Sequence, residues 1–194
     1  FMCPEYSYAS KYLKNSYVIV EDLIAVNFPG ERDWKFVIFW KQIWKIVKKQ
    51  KIISISNYTK MDILKNIYPQ IFNQLEYIPT EISNRVKNIY LGFDKEQFRP
   101  MNVRPNKIFT VGYVGGFGKR KNIRMIIEVA KQLSYIKFKI AGKIPEKMEY
   151  LKSQASSNVE FIGYIDEKDL CAFYNSLDLF LFPSLYEGFC LPIV

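Results

Sequence analysis

The sequence predicts an α/β protein built on parallel β-sheets, and three observations carry that prediction. From about residue 108 onward, short β-branched runs alternate with helical patterns, an order that feeds parallel strands through crossover helices. Several of those runs stop at a glycine or a proline, as strands do at a sheet edge. The 194 residues are 49% hydrophobic and 24% charged, enough apolar material for a packed core and too little charge for a disordered chain.

Taken in order, Tyr17–Val20 (YVIV) reads as a strand. A long helix is expected over residues 35–49, and a second strand over 51–55 (KIISI). Ser56 stands where an N-cap belongs and opens a helix reaching Ile67. Residues 86–91 (VKNIYL) read as a strand. Residues 99–106 carry two prolines and little apolar pattern, and this stretch is the expected domain boundary.

The second half is more regular. Residues 108–114 (IFTVGYV) form a strand that runs into a glycine cluster. Over residues 122–133 the apolar residues Ile123, Ile126, Ile127, Ala130 and Leu133 recur every three or four positions, the stripe of a helix buried on one side. Lys137–Ala141 alternates as a strand and stops at Gly142. Pro145 opens a polar helix over 146–155, followed by a short strand over 159–162 that Gly163 ends. Asp166 is the expected N-cap of the next helix, and residues 178–182 (DLFLF) are a last strand broken by Pro183.

Composition excludes several kinds of chemistry. The chain has no histidine and three cysteines, Cys3, Cys171 and Cys190, with no CxxC pair. Serine–histidine and cysteine–histidine catalysis are therefore absent, and neither a disulfide framework nor a zinc site is expected. No metal site or cofactor is expected. The first residues lack the basic and apolar segments of a signal peptide, and no apolar run is long enough to span a bilayer, so a cytoplasmic place is expected. The net charge of +9 suits an anionic partner or a lysine-rich solvated surface.

Three segments could carry function. In residues 112–122 (GYVGGFGKRKN), Gly115, Gly116 and Gly118 lie between a strand and a helix start, beside Lys119, Arg120 and Lys121. Glycines let backbone N–H groups approach a phosphate, and a helix start favours negative charge. A plain glycine turn with a solvated basic face fits the same residues. In residues 182–194 (FPSLYEGFCLPIV), Glu187 is a lone carboxylate in apolar surroundings after a strand, either used chemically or turned to water. In residues 34–51, Trp34, Trp40 and Trp44 share an amphipathic helix with lysines, which suits either an anionic membrane surface or a core helix with a basic outer face.

These segments, in this order, resemble the family-4 glycosyltransferases of the GT-B fold. Residues 113–123 are similar to that family's glycine loop followed by RKN. Residues 159–164 resemble its V-x-F-x-G-Y strand, and residues 170–182 its L-x-x-x-Y-x-x-x-D-x-x-x-F segment. Residues 183–192 (PSLYEGFCLP) resemble PS-x-YEGFGLP. Upstream, residues 53–62 resemble I-x-V-S-x-x-T-x-x-D, and residues 89–100 resemble the I-x-x-G-x-D-x-x-x-F-x-P crossover.

The resemblance implies two Rossmann-like domains, both incomplete here: an acceptor part over residues 1–100 and a nucleotide-sugar donor part over 101–194. It implies transfer of a sugar, with retention and without a metal, from a nucleotide diphosphate sugar to a glycan or lipid-linked acceptor. No nucleic-acid partner is expected, since no single-strand stacking platform pairs with the basic residues. Lys121 would contact the donor diphosphate, with Gly115, Gly116, Arg120 and Tyr164 at the donor. Glu187 would be the first acid of an E-x7-E motif facing the donor sugar, and Gly188, Phe189, Cys190 and Leu191 would meet the diphosphate or sugar.

The chain departs from the pattern at four places. Gly116 stands where an arginine is frequent, with Arg120 as its substitute, and Cys190 replaces the last glycine of EGFG. Glu21–Asp22 replaces a usual His-Asp, and the second acid of the motif would fall at residue 195, so a truncated enzyme is expected. Non-catalytic descendants of the fold, binding a sugar nucleotide or acting as scaffolds, are the alternative. An epimerase or phosphorylase on the same architecture fits the signature less well.

Overall fold

The structure is a computed structural model that describes residues 2–3, 17–28, 30, 34, 38, 50–74 and 78–194. These fall into two units, Phe1–Gly92 with Glu187–Leu191, and Phe93–Tyr186 with Pro192–Val194.

The first unit holds a parallel sheet in the order β1 (Met2–Cys3), β2 (Tyr17–Val20), β3 (Lys51–Ser54) and β4 (Val86–Asn88). Alternation in β2 and β3 sends Val18, Val20 and Ile52 inward, where they meet Leu23, Ile63, Leu64 and Val86. Between β2 and β3 lies α1 (Ile24–Asn27), its first N–H bonded to the Asp22 carboxylate at 2.9 Å. After β3 comes α2 (Asn57–Ile67), capped as expected by Ser56, whose hydroxyl accepts the Thr59 N–H at 2.9 Å. Then follow α3 (Pro69–Gln74) and α4 (Thr80–Ser83).

The strand expected over 86–91 stops at Asn88 because β3 ends at Ser54. The Ile89 N–H takes the last carbonyl of that strand at 2.9 Å, and Ile89, Tyr90 and Leu91 are then exposed. Of the expected helix over 35–49, only Ile38 is among the described residues, and it and the preceding Trp34 are exposed. Trp40, Trp44 and the lysines around them lie outside the described residues.

The second unit holds a parallel sheet of β5 (Thr110–Val114), β6 (Lys137–Ala141), β7 (Val159–Gly163) and β8 (Leu179–Phe180), in the spatial order β7-β6-β5-β8. The predicted apolar stripe of α5 (Ile123–Gln132) is buried as Ile123, Ile126, Ile127 and Ala130, against Val111, Phe138 and Ile140 of the sheet. The polar helix expected over 146–155 begins as a 3-10 turn, Glu146–Met148, and becomes α6 (Tyr150–Gln154) with Leu151 buried.

Asp166 does occupy the N-cap of α7 (Glu167–Asn175), but its side chain makes no capping hydrogen bond. Its backbone carbonyl takes the Asp169 N–H at 2.9 Å instead. β8 is shorter than the expected 178–182 run, yet the ladder continues through Asp178 N–H to Thr110 O (2.9 Å) and Leu181 N–H to Gly112 O (2.8 Å).

Two asparagines fasten the connections. The Asn158 amide donates to the carbonyls of Ala130, Leu133 and Ile136 at 3.0, 3.1 and 2.8 Å, closing the C-terminal end of α5. Asn175 donates to Arg99 O (3.1 Å) and accepts the Met101 N–H (2.7 Å), so part of the proline-bearing stretch 99–106 is held on α7. On the surface, Lys137 bonds Glu160 at 2.7 Å, and that hydrogen bond holds the Glu160 carboxyl below its ordinary range. Among the described residues, no helix is long and apolar enough to cross a membrane.

Candidate active site

The strand order of the second unit identifies one edge for attention. The chain runs outward from β5 through β6 to β7, then returns to place β8 on the other side of β5. The strand order thus reverses at β5, with β6 on one side and β8 on the other, and the crevice outside the carboxyl ends at such a reversal is where open α/β sheets bind ligands. The residues following β5 and β8 are the glycine–lysine turn and the stretch Leu181–Tyr186, two of the segments singled out from sequence.

At the end of β5 the Gly115 N–H bonds Ala141 O at 3.0 Å, and the exposed Gly116 accepts the Tyr113 hydroxyl at 2.8 Å. Gly142 approaches so closely that a Cβ there, at a backbone φ of +144°, would run into the Gly115 carbonyl. The carboxyl ends of β5 and β6 are thus drawn together by a contact only glycine permits. Lys119–Lys121 form a 3-10 turn rather than the first turn of the helix, and Asn122 follows in the left-handed region at φ 55°, ψ 39°. Asparagine tolerates that conformation, and its amide reaches Pro183 O at 3.4 Å.

The side chain of Arg120 turns to the other strand end. Its guanidinium donates to Tyr186 O at 2.6 Å, while its own carbonyl accepts the Leu185 N–H at 2.8 Å. Lys121 sits with its ammonium 4.9 Å from the centre of the Phe182 ring, a cation–π arrangement that steadies the amine over the end of β8. Phe182 stacks on the buried Tyr113 at 5.7 Å, and Phe180 and Tyr174 continue the row at 5.9 and 5.1 Å. Part of the 16% aromatic content is thereby accounted for: these rings form the floor beneath the turn. Tyr164, directly after β7, is 74% exposed at the same edge of the sheet.

Glu187–Leu191 belongs to the first unit, at the carboxyl ends of β2 and β3. The Gly188 carbonyl accepts from the Ser56 hydroxyl and lies 3.1 Å from Thr59 Oγ1. Gly188 also runs so close to the chain after β2 that a Cβ would strike the Glu21 carbonyl. Phe189 packs on Tyr90 with ring centres 5.9 Å apart. Cys190 has φ +66°, in the left-handed region where glycine is relaxed and other residues are strained. Glu187 is half-buried and Leu191 exposed.

The predicted residues therefore stand in two groups, Gly115, Gly116, Arg120, Lys121 and Tyr164 in one unit, and Glu187, Gly188, Phe189, Cys190 and Leu191 in the other. Tyr113, Phe182, Ser56 and Thr59 were not singled out as site residues, although all four fall inside quoted motifs. Among the described residues, no group of three His, Cys, Asp or Glu could hold a metal ion. The first group has the chemistry that suits an anion: a glycine turn, a held lysine and an adjoining helix.

Residues 94–194, just over half of the chain, match the family described as glycosyl transferases group 1. The chain belongs to that family. Among curated proteins, this group 1 glycosyl transferase is 25% identical to the O-antigen biosynthesis glycosyltransferase WclY of Escherichia coli over 193 residues, 97% of this chain and 48% of WclY. Among solved structures, sucrose-phosphate synthase from Thermosynechococcus elongatus superposes with a TM-score of 0.64 at 19% identity, covering 92% of this chain and 46% of that one. Anabaena HepE in complex with UDP and glucose gives 0.62 at 16% identity, with 92% and 49% covered. Likeness at this identity shows the fold: parallel α/β sheets of the GT-B type. The chain spans about half the length of each of these relatives.

Proposed function

We propose that this group 1 glycosyl transferase is the donor-binding part, with some of the acceptor part, of a family-4 enzyme. It moves a sugar from a nucleotide diphosphate sugar to a glycan or lipid-linked acceptor, with retention at the anomeric carbon and without a metal. The observation that carries the reading is the switch point between β5 and β8, where Lys121 and the glycine turn stand beside a loop bound by Arg120.

Departure of the nucleoside diphosphate builds negative charge, and a fixed ammonium with nearby N–H groups stabilises it without reorganising in the transition state. In this reading Lys121, Gly115 and Gly116 meet the diphosphate, Arg120 keeps the following loop in place, and Tyr164 lines the donor edge. Glu187 faces the donor sugar, with the N–H groups of Phe189–Leu191 beside it. HepE, a structural relative bound to UDP and glucose, supports a nucleotide diphosphate sugar as donor. WclY, named for O-antigen biosynthesis, supports a polysaccharide acceptor.

The test uses the full-length protein with UDP-glucose, UDP-N-acetylglucosamine and GDP-mannose, following release of nucleoside diphosphate. Lys121→Ala and Glu187→Ala should each lower turnover by about 100-fold or more. Turnover unchanged in both variants would refute the site. One observation favours a second reading, a non-catalytic sugar-nucleotide binder: Cys190 occupies a left-handed position that suits glycine. Nucleotide binding by the wild type with no turnover of any donor would select it.

A cytoplasmic enzyme acting on a lipid-linked acceptor would work at a membrane face, and Trp34, Trp40, Trp44 and their lysines would meet the anionic surface. Co-sedimentation with phosphatidylglycerol vesicles should fall in Trp40→Ala/Trp44→Ala, and equal binding would remove this role.

A further inference from the structure

The motif Ser56-x-x-Thr59 caps α2, but a cap needs only one hydroxyl and leaves the second unexplained. Both residues are buried, and both hydroxyls reach the Gly188 carbonyl, that of Thr59 reaching the Glu21 carbonyl as well. Thr59 Oγ1 lies 3.1 Å from Glu21 O and 3.1 Å from Gly188 O, while Ser56 Oγ bonds Gly188 O and lies 3.1 Å from Thr59 Oγ1.

The protons can be assigned by counting. Each hydroxyl has one proton to give, and Ser56 Oγ already receives the Thr59 N–H. If Ser56 donated to Thr59, one of the two carbonyls would go without a proton from this pair. If Ser56 donates to Gly188 and Thr59 to Glu21, both are served. The second arrangement joins the end of β2, the start of α2 and the Gly188–Phe189 peptide at one point. Gly188 has no Cβ to hold the chain away, since one there would strike Glu21 O.

We infer that Ser56 and Thr59 form a hydroxyl clamp, Ser56 holding the Gly188 carbonyl and Thr59 the Glu21 carbonyl against which Gly188 packs, and that by fixing the Gly188–Phe189 peptide they act as positioning residues for Glu187. The positioning role rests on the donor-sugar role proposed above for Glu187; the clamp itself does not. Ser56 then has two separable duties. As an acceptor it caps α2, and as a donor it holds Gly188. Aspartate performs the first duty as well as serine but cannot donate when ionised.

The experiment compares full-length wild type with Ser56→Asp, Ser56→Thr and Thr59→Val. It reads amide hydrogen exchange over residues 188–191 and over α2, together with kcat and KM for the three nucleotide sugars named above. In Ser56→Asp, α2 should keep wild-type protection while residues 188–191 exchange about tenfold faster or more. Its kcat should fall about tenfold or more with KM little changed, and Ser56→Thr should recover both readouts.

Thr59→Val, isosteric and lacking only the hydroxyl, should move the same way, and it carries the test if Ser56→Asp does not fold. Wild-type exchange over 188–191 in the folded variants would overturn the clamp. Faster exchange with unchanged kcat would overturn the positioning role. A wild type that turns over none of the donors would instead overturn the transferase reading, with the exchange data still deciding the clamp.

Discussion

Arg120 is bonded to Tyr186 through its side chain and to the preceding residue, Leu185, through its backbone, across the end of the second sheet. The guanidinium donates to the Tyr186 carbonyl at 2.6 Å, and the neighbouring Leu185 N–H returns to the Arg120 carbonyl at 2.8 Å. The backbone bond survives any side-chain change, whereas the guanidinium bond does not. Arg120→Lys keeps the charge and shortens the reach, and a lysine lacks the planar set of donors that fits a carbonyl at a fixed angle. A charge-assisted bond in a half-buried place contributes about 1.5–3 kcal/mol. Arg120→Lys should therefore lower the unfolding free energy by about 1–2 kcal/mol in a denaturant titration and loosen residues 183–186 to proteolysis. Wild-type stability with wild-type cleavage would mean that the loop is held by its backbone alone.

That relationship also marks where sequence reading stops. Strand ends at Val114 and Ala141, and the end of β7 to within one residue, were legible because β-branched runs and terminal glycines are local signals. The same holds for the stripe of α5 and the cap at Ser56. The anion-suited turn was legible because its glycines and lysines are contiguous. The Arg120–Tyr186 bond spans 66 positions and the Ser56–Gly188 bond 132, and no local period reports a partner that far away. Strand 86–91 was overextended for a similar reason: its length is set by where β3 ends, not by its own residues. Only strand order revealed that the two candidate segments of the second unit follow adjacent strands.

Asn158 is a second long-range tie, and it concerns stability rather than chemistry. Its amide nitrogen serves three carbonyls at the end of α5, and its oxygen accepts the Ser156 hydroxyl at 2.6 Å. Asn158→Asp has nearly the same shape but replaces the donor with a carboxylate oxygen facing three carbonyls at the negative end of a helix. Lost bonds and repulsion act in the same direction. The variant should be less stable by about 2–4 kcal/mol in thermal or denaturant unfolding. Asn158→Ala, which only removes the bonds, should fall about 1–2 kcal/mol. The order matters as much as the size: an Asp variant as stable as the Ala variant would show that water reaches these carbonyls.

Gly188 and Cys190 lie two residues apart and are constrained differently. At Gly188 the limit is space, since any Cβ meets the Glu21 carbonyl. At Cys190 the limit is the dihedral, φ +66° on a residue with a Cβ, a conformation costing about 1–2 kcal/mol outside glycine. Glycine at 190 removes that cost but gives back part of it as chain entropy in the unfolded state. Cys190→Gly should therefore melt at the wild-type temperature or above, with a gain of up to about 1 kcal/mol. Cys190→Val should lose about 1–3 kcal/mol, because a β-branched side chain tolerates the left-handed region least. If the second function reading is right, the donor assay adds a result: Cys190→Gly would bring turnover to a chain that has none. If Cys190→Gly instead melts several degrees lower, the thiol's own packing outweighs the backbone strain, and the glycine of the family pattern is not equivalent to this position.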